Sequence, residues 1–188
     1  MSLTKRFKQE LLRKTLHLPI LLVPILATTH RGLALCSLGV LMLGYVGIFL
    51  LKTHLGVRVF LLSDVIDFCS RTTGFDKDPL LMAMGMAIAL LLAPEQPSML
   101  PAISLAVCDS AAALVGIRFG RHSIGTLAKT YEGSAAFLLT CFVAALFYLS
   151  PPLAGLMAIV LTLIELVSGR GYDNLSLPIA TQLLLNMM

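Results

Sequence analysis

Residues 33–51, LALCSLGVLMLGYVGIFLL, decide the fold class of this chain. This stretch contains no charged side chain, and a helix needs about 20 mostly apolar residues to cross the hydrocarbon core of a bilayer. Hydrophobic residues make up 57% of the 188 residues and charged residues 13%, whereas about 25% of a typical soluble domain is charged. Because backbone polar groups in lipid must be satisfied within the fold, the sequence predicts an all-α bundle of transmembrane helices.

Six further apolar stretches lie along the chain, at about 16–28, 80–93, 99–117, 135–149, 153–167 and 175–188. We therefore predict a multi-pass bundle of about seven spans that forms a single transmembrane catalytic domain over residues 1–188, with the N-terminus in the cytoplasm. Under this topology, 13 of the 14 basic residues fall on the cytoplasmic side and only Arg31 falls outside. The excess of Lys and Arg on cytoplasmic loops supports the predicted orientation. It also accounts for the net charge of +4, so we expect no nucleic-acid partner.

The longest predicted cytoplasmic connection is residues 52–78. Val59, Leu62, Ile66 and Cys69 fall there at helical spacing, with the charged residues Arg58, Asp67 and Arg71 near them. This pattern is typical of an amphipathic helix that lies in the membrane interface. A solvated connecting helix would show the same pattern, and both interpretations stay open.

Asp109 lies within the apolar run SLAVCDSAAALVGIRFG, residues 104–120. An ionisable side chain at membrane depth is costly and by default faces a bundle interior or a water-filled cavity. Gly116 and Gly120 follow at i+7 and i+11 and share its helix face. This face, which we call the thin face, carries few bulky side chains. It could admit a polar ligand close to the backbone, or it could simply allow close helix packing.

A polar loop, residues 118–134, follows this helix and leads into the next predicted span. Thr130 or Ser134 could cap that span, and a helix N-terminus offers free N–H groups to an anion. Lys129 adds a cation, Gly133 would let a phosphate approach the backbone, and Glu132 could hold Mg²⁺ or fix Lys129. An ordinary basic loop with an ordinary cap is the alternative.

Further polar residues are predicted at the same membrane depth. These are Arg13, Lys14 and His17 at the first span, Glu165 near the inner end of the sixth, and Asp173 and Asn174 at the start of the seventh. Carboxylates, cations and a helix N-terminus together suit a nucleoside triphosphate with a divalent metal, because phosphoryl transfer chiefly needs positioning and charge neutralisation. The chain contains no GxxxxGK[ST] loop, which excludes the soluble P-loop architecture.

The run Asp109-Ser110…Gly116…Phe119-Gly120-Arg121…Lys129-Thr130-Tyr131-Glu132-Gly133-Ser134 resembles the signature of the CTP-dependent lipid-alcohol kinases, such as dolichol, phytol and diacylglycerol kinases. The resemblance implies that the γ-phosphoryl group of CTP is transferred to a lipid hydroxyl at a site facing the cytoplasm. It implies catalytic roles for Asp109, Lys129, Glu132 and Asp173, with Mg²⁺ held by Asp109, Glu132 and Asp173. The residues that would bind the nucleotide are Arg13, Lys14, His17, Ser110, Gly116, Gly120, Arg121, Thr130, Gly133, Ser134 and Asn174, and Glu165 is a further polar residue of the site.

Two alternative functions remain at this point. CDP-diacylglycerol synthases share the outline of the motif, although they usually carry basic residues just before the Lys-Thr pair, where this chain has Leu127-Ala128. A transporter or a non-catalytic membrane subunit would also keep carboxylates inside the membrane. The sequence identifies neither the lipid alcohol nor the residues that read the base, and nothing in it indicates an oligomer.

Overall fold

A computed structural model describes residues 3–56, 64, 68, 75–94, 96–125, 129–169 and 171–188. The prediction of an all-α fold is confirmed, since the described residues contain no strand beyond one isolated bridge between Ser123 and Thr130. The helices are α1 (Leu3–Thr15), a 3₁₀ turn (Leu18–Leu21), α2 (Leu22–Leu55), α3 (Asp78–Leu92), α4 (Leu100–Phe119), α5 (Tyr131–Ala145), α6 (Pro151–Val167) and α7 (Asp173–Met187). Within α4, Ser104–Cys108 forms a π-helical turn. The predicted amphipathic segment lies largely outside the described residues.

The helix α2 changes direction at His30, whose φ of −140° and ψ of 75° are not helical. Earlier in the chain, Arg13 of α1 contacts Asp78 at the start of α3. Directly after His30, Arg31 contacts Leu90 near the end of α3. After His30 the chain runs back towards the start of α3, since Tyr45 donates a hydrogen bond to the carbonyl of Asp76. The two arms of α2, residues 22–29 and 31–55, therefore run in opposite directions along α3, and the reversal lies between the predicted apolar stretches 16–28 and 33–51.

The remaining helices continue this alternation. Asn186 near the end of α7 donates to the carbonyl of Leu92 at the end of α3, which defines an outer end of the bundle. Lys129 before α5 contacts Glu165 near the end of α6 and Asp173 at the start of α7, which defines an inner end. In the described residues, the two arms of α2 and the helices α3 to α7 correspond to the seven apolar stretches that the sequence predicted as spans. That each of these helical passes crosses a membrane stays a prediction.

Two groups of buried apolar side chains hold the passes together. Leu38, Met86 and Leu105 belong to a core between α2, α3 and α4, while Phe137 and Leu161 belong to a core between α5, α6 and α7. Each of these side chains is essentially inaccessible to solvent. Since buried apolar side chains pack at crystal-like density, these cores fix the relative positions of the inner helix ends.

Two helical runs, Thr4–Leu55 and Leu100–Phe119, are long and apolar enough to cross a membrane by length and composition. The first of these contains the reversal at His30. The helices α3, α5 and α6 are apolar but have only 15 to 17 residues. Helix length in the described residues therefore gives two candidate spans and leaves the predicted number of seven as an expectation.

Arg31 is the one basic residue that the predicted topology leaves on the outer side, and it has a structural role there. Its guanidinium donates to the carbonyls of Leu90, Ala93 and Pro94 at 2.6, 2.6 and 3.0 Å. These carbonyls lie at the C-terminal end of α3, where the last carbonyl groups of a helix have no N–H partner within the helix. The positive charge also complements the negative end of the helix dipole.

We expect Arg31→Met to lower the free energy of unfolding by about 1–3 kcal/mol, because hydrogen bonds from a charged donor to these carbonyls are lost. Thermal unfolding in detergent measures this change. Arg6→Met, which removes an exposed arginine of α1, is the matched control and should leave the midpoint unchanged. An equal effect of both substitutions would contradict the capping role of Arg31.

Candidate functional site

A group of buried and partly buried charged side chains lies towards the inner end of the bundle. Its members, which we call the charged cluster, are Arg13, Lys14, His17, Asp78, Asp109, Lys129, Glu165 and Asp173. They come from the segments α1, α3, α4, α6 and α7 and from the residues just before the 3₁₀ turn and α5. Among the sequence-predicted residues, the structure thus brings together Arg13, Lys14, His17, Asp109, Lys129, Glu165 and Asp173.

Lys14 and Asp109 form an ion pair within this cluster. Lys14 is 3% exposed and Asp109 is 4% exposed, so neither side chain is reached by solvent. His17 and Lys129 also act on Asp109 electrostatically. Buried charges persist only when they are paired, so this contact fixes α1 against the middle of α4.

A π-helical turn places Asp109 at this point. The turn ends at Cys108, and the hydroxyl of Thr181 on α7 donates to Ser104 at 3.0 Å at its beginning. The predicted ligand Ser110 donates instead to the backbone carbonyl of Ala106. Because a π turn contains an additional residue, it rotates the following side chains relative to a regular helix.

Arg13 forms a second set of ion pairs with residues that the sequence analysis did not single out. Its guanidinium contacts Asp78 at 2.9 Å and Glu10 at 2.6 Å. Both carboxylates are largely buried. The position of Asp78, directly before an apolar helix, and the spacing of Glu10 and Arg13 at i and i+3 were the available signals.

Lys129 lies between two carboxylates at the ends of α6 and α7. Its ammonium donates to the backbone carbonyl and side chain of Glu165, and it lies 3.6 Å from a carboxylate oxygen of Asp173. The other oxygen of Asp173 accepts a hydrogen bond from the backbone N–H of Asn174. Lys129 thus holds the end of α6 and the start of α7 together.

Unsatisfied polar atoms are concentrated at this end of the bundle. Among the described residues, six buried side-chain nitrogen or oxygen atoms have no hydrogen-bond partner, and five of them belong to predicted site residues. These five are Arg13 Nε, His17 Nε2, Ser134 Oγ, Glu165 Oε2 and Asn174 Oδ1. Because a buried polar atom without a partner is costly, their concentration indicates a place where a polar ligand or water is bound.

The predicted thin face of α4 packs directly against α5. A Cβ atom on Gly133 would meet the carbonyl oxygen of Ala112 at 2.8 Å, and one on Gly116 would meet Thr130 Oγ1 at 3.1 Å. A Cβ atom on Gly120 would be closer still to Thr130, at 2.7 Å from its Cγ2. The glycines therefore allow close helix packing in this structure, which is the alternative that the sequence left open. A direct approach of a ligand to Gly116, Gly120 and Gly133 stays a prediction.

Thr130 caps α5, because its hydroxyl accepts a hydrogen bond from the backbone N–H of Gly133 at 3.1 Å. Ser134 instead lies inside the first turn, where its hydroxyl is buried without a partner. The loop before the cap is closed by backbone hydrogen bonds of Ile124 with Lys129 and of Tyr131 with His122. These contacts position Lys129 immediately before the N-terminus of α5.

Glu132 has a different ion-pair partner and lies just before the predicted fifth span, residues 135–149. Its carboxylate contacts the His122 ring at 2.7 Å. A hydrogen bond from its own backbone N–H, and then the His122 side chain, lower the pKa of Glu132 to about 2. Glu132 is therefore an anion at any physiological pH. Arg121, also a predicted phosphate ligand, is exposed in the same loop.

Binding of Mg²⁺ by Asp109, Glu132 and Asp173 stays a prediction, and the structure gives these three carboxylates different ion-pair partners. Among the described residues, no three His, Cys, Asp or Glu side chains are grouped so that they could hold a metal ion. Asp109 pairs with Lys14 and Glu132 with His122, whereas Glu165 and Asp173 share Lys129. Since Mg²⁺ usually takes one or two carboxylates together with substrate phosphates, Glu165 and Asp173 are the pair that fits it best.

Comparisons with known proteins identify a relative along nearly the whole chain. The chain is 30% identical over 186 residues to "Uncharacterized protein MJ1137" of Methanocaldococcus jannaschii, and the match covers 95% of this chain and 93% of the relative. No protein-family model matches the chain, and no solved structure matches it. The name of the relative assigns no activity. The extent and identity of the match nevertheless show that the chain belongs to the same family as this archaeal protein.

Proposed function

We propose that the chain is a multi-pass integral membrane protein whose seven helical passes cross the bilayer, with the inner end in the cytoplasm. Large apolar side chains face outward on many passes; Phe147 is 83% exposed, Val167 77% and Leu43 75%. Surfaces of this kind are expected against lipid and are rare on soluble monomers. Helices of 15 residues are about 22 Å long, so flanking residues and local bilayer thinning would complete the shorter spans.

Within this bundle, we propose a kinase that transfers the γ-phosphoryl group of CTP to the hydroxyl group of a lipid alcohol. The observation that carries the proposal is the charged cluster together with five unsatisfied buried polar atoms of predicted site residues, at the inner end of a largely apolar bundle. Five of the six unsatisfied buried atoms in the described residues belong to predicted site residues, which favours a ligand-binding role over a purely structural one. The choice of CTP as donor follows from the family resemblance of the motif.

Lys129 is the residue that would bind the transferred phosphate. It lies directly before the N-terminus of α5, where the positive end of the helix dipole favours an anion. A nucleotide would attract its ammonium away from Glu165 and Asp173, and these carboxylates would then hold Mg²⁺, which neutralises phosphate charge when it is bound. Lys14 and Arg13, fixed by Asp109 and Asp78, add positive charge at the same depth.

A direct test supplies the purified protein with each of the four nucleoside triphosphates and a panel of lipid alcohols that includes diacylglycerol, polyprenol and phytol. We expect phosphorylation of one lipid class with CTP as the preferred donor. Liposomes that contain the protein and entrapped solutes provide the competing measurement. Transport of an ion or solute without turnover of any nucleotide would replace the kinase by a transporter.

A further inference from the structure

His17 lies between α1 and the 3₁₀ turn, and its ring orientation is fixed by the backbone. The ring atom Nδ1 is 2.8 Å from the carbonyl oxygen of Arg13. Since a carbonyl oxygen only accepts hydrogen bonds, Nδ1 must carry the proton. The neutral imidazole then has its lone pair on Nε2, the form in which histidine accepts a proton.

The atom Nε2 of His17 is free and enclosed. The side chain is 5% exposed, and Nε2 has no hydrogen-bond partner. Lys14 and Asp109 are its electrostatic neighbours. The cluster carboxylates are placed differently, because Asp109 accepts from Lys14, and Glu165 and Asp173 lie against Lys129. His17 is thus the buried acceptor of the cluster that no cation holds directly.

The leucines next to His17 in the sequence are exposed and would contact lipid in the proposed bilayer. Leu16 and Leu18, the residues on either side of it, are 46% and 44% exposed, and Leu22 one turn later is 65% exposed. A lipid that lies against these leucines places its polar end at the depth of His17 and Asp109. The hydroxyl of such a lipid would contact the free acceptor Nε2 of His17 in the charged cluster.

We propose that His17 is the general base of the transfer reaction, which rests on the proposed kinase function. Nε2 takes the proton of the lipid hydroxyl while the hydroxyl oxygen forms a bond to the γ-phosphorus of CTP. The bond between that phosphorus and the β–γ bridging oxygen breaks, and CDP leaves with its electron pair. Asp109 favours the charge of the resulting imidazolium and Lys14 opposes it. The proton then passes from Nε2 to water.

The variant His17→Asn tests this role, because the Asn amide nitrogen can keep the donation to the Arg13 carbonyl while the acceptor at Nε2 is lost. We expect kcat to fall about 100-fold with the KM for CTP nearly unchanged. The deficit should shrink with a lipid alcohol whose hydroxyl is acidified by a neighbouring fluorine, since such a substrate needs less help from a base. Glu165→Gln is the matched comparison, and its deficit should be the same for both alcohols.

The outcomes distinguish a failure of His17 as the general base from a failure of the proposed kinase function. If the wild-type protein phosphorylates a lipid alcohol but His17→Asn has an unchanged kcat, or a deficit that is equal for the two alcohols, the assignment of the base to His17 is wrong. If the deficit depends on the alcohol in Glu165→Gln instead, Glu165 is the base. If the wild-type protein transfers no phosphoryl group to any alcohol, the proposed function fails, and the role of His17 fails with it.

Discussion

Lys129→Ala is expected to reduce phosphoryl transfer from CTP to lipid by about 1,000-fold or more, because a preorganised cation at a transferring phosphoryl group contributes on this scale. The structure adds a second reason. Without the ammonium, the buried carboxylate of Glu165 loses its ion pair with Lys129, and Asp173 loses the cation 3.6 Å away. Transfer of ³²P from γ-labelled CTP into the lipid fraction measures the loss.

Lys8→Ala is the control for Lys129→Ala, because Lys8 is an exposed lysine of α1 on the same face of the predicted topology. It should keep wild-type activity. Thermal unfolding of the Lys129 variant in detergent shows how much of the protein is folded in the assay. If the folded variant transfers phosphate at more than a tenth of the wild-type rate, Lys129 does not bind the transferred group.

Asp109→Asn is expected to lower the free energy of unfolding by about 3–5 kcal/mol, because it leaves the buried ammonium of Lys14 without its counter-charge. The double variant Lys14→Met with Asp109→Val should recover most of that stability, since apolar residues of similar volume often replace a buried ion pair without cost. Phosphoryl transfer should be lost in both variants. The unfolding midpoint and the transfer rate are measured on the same preparations.

The pair of variants separates stability from catalysis. A structural ion pair predicts that the double variant regains activity together with stability. A catalytic pair predicts a stable and inactive protein. Recovery of wild-type transfer in the double variant would therefore remove Lys14 and Asp109 from the proposed site.

Much of the architecture was predictable from the sequence. Long apolar stretches, and charged residues that are mostly confined to the segments between them, are features of local composition. The all-α fold, the reversal near His30 and the burial of Asp109 follow from such patterns. Pairing of side chains across helices depends on tertiary packing, and this is where the predictions are incomplete. The contact of Arg13 with Asp78 joins residues 65 positions apart, and no local spacing indicates it.

The role of the glycines shows the same limit. The pattern that ends at Gly116 and Gly120 predicts a thin helix face, but a thin face can receive either a ligand or another helix. Which one it receives depends on the position of α5, and the structure brings Gly133 against the backbone of Ala112. Glu132 is similar, since its motif position does not show that His122 in the preceding loop is its partner.

The central claim is that the charged cluster transfers the terminal phosphoryl group of CTP to a lipid hydroxyl. The most direct test supplies the purified protein with a lipid alcohol and CTP labelled at either the α or the γ phosphate, with phosphatidic acid as a parallel acceptor. We predict that only the γ label enters the lipid and that CDP accumulates in equal amount. Incorporation of the α label into lipid, with release of pyrophosphate and only when phosphatidic acid is present, would contradict the kinase and identify a cytidylyltransferase.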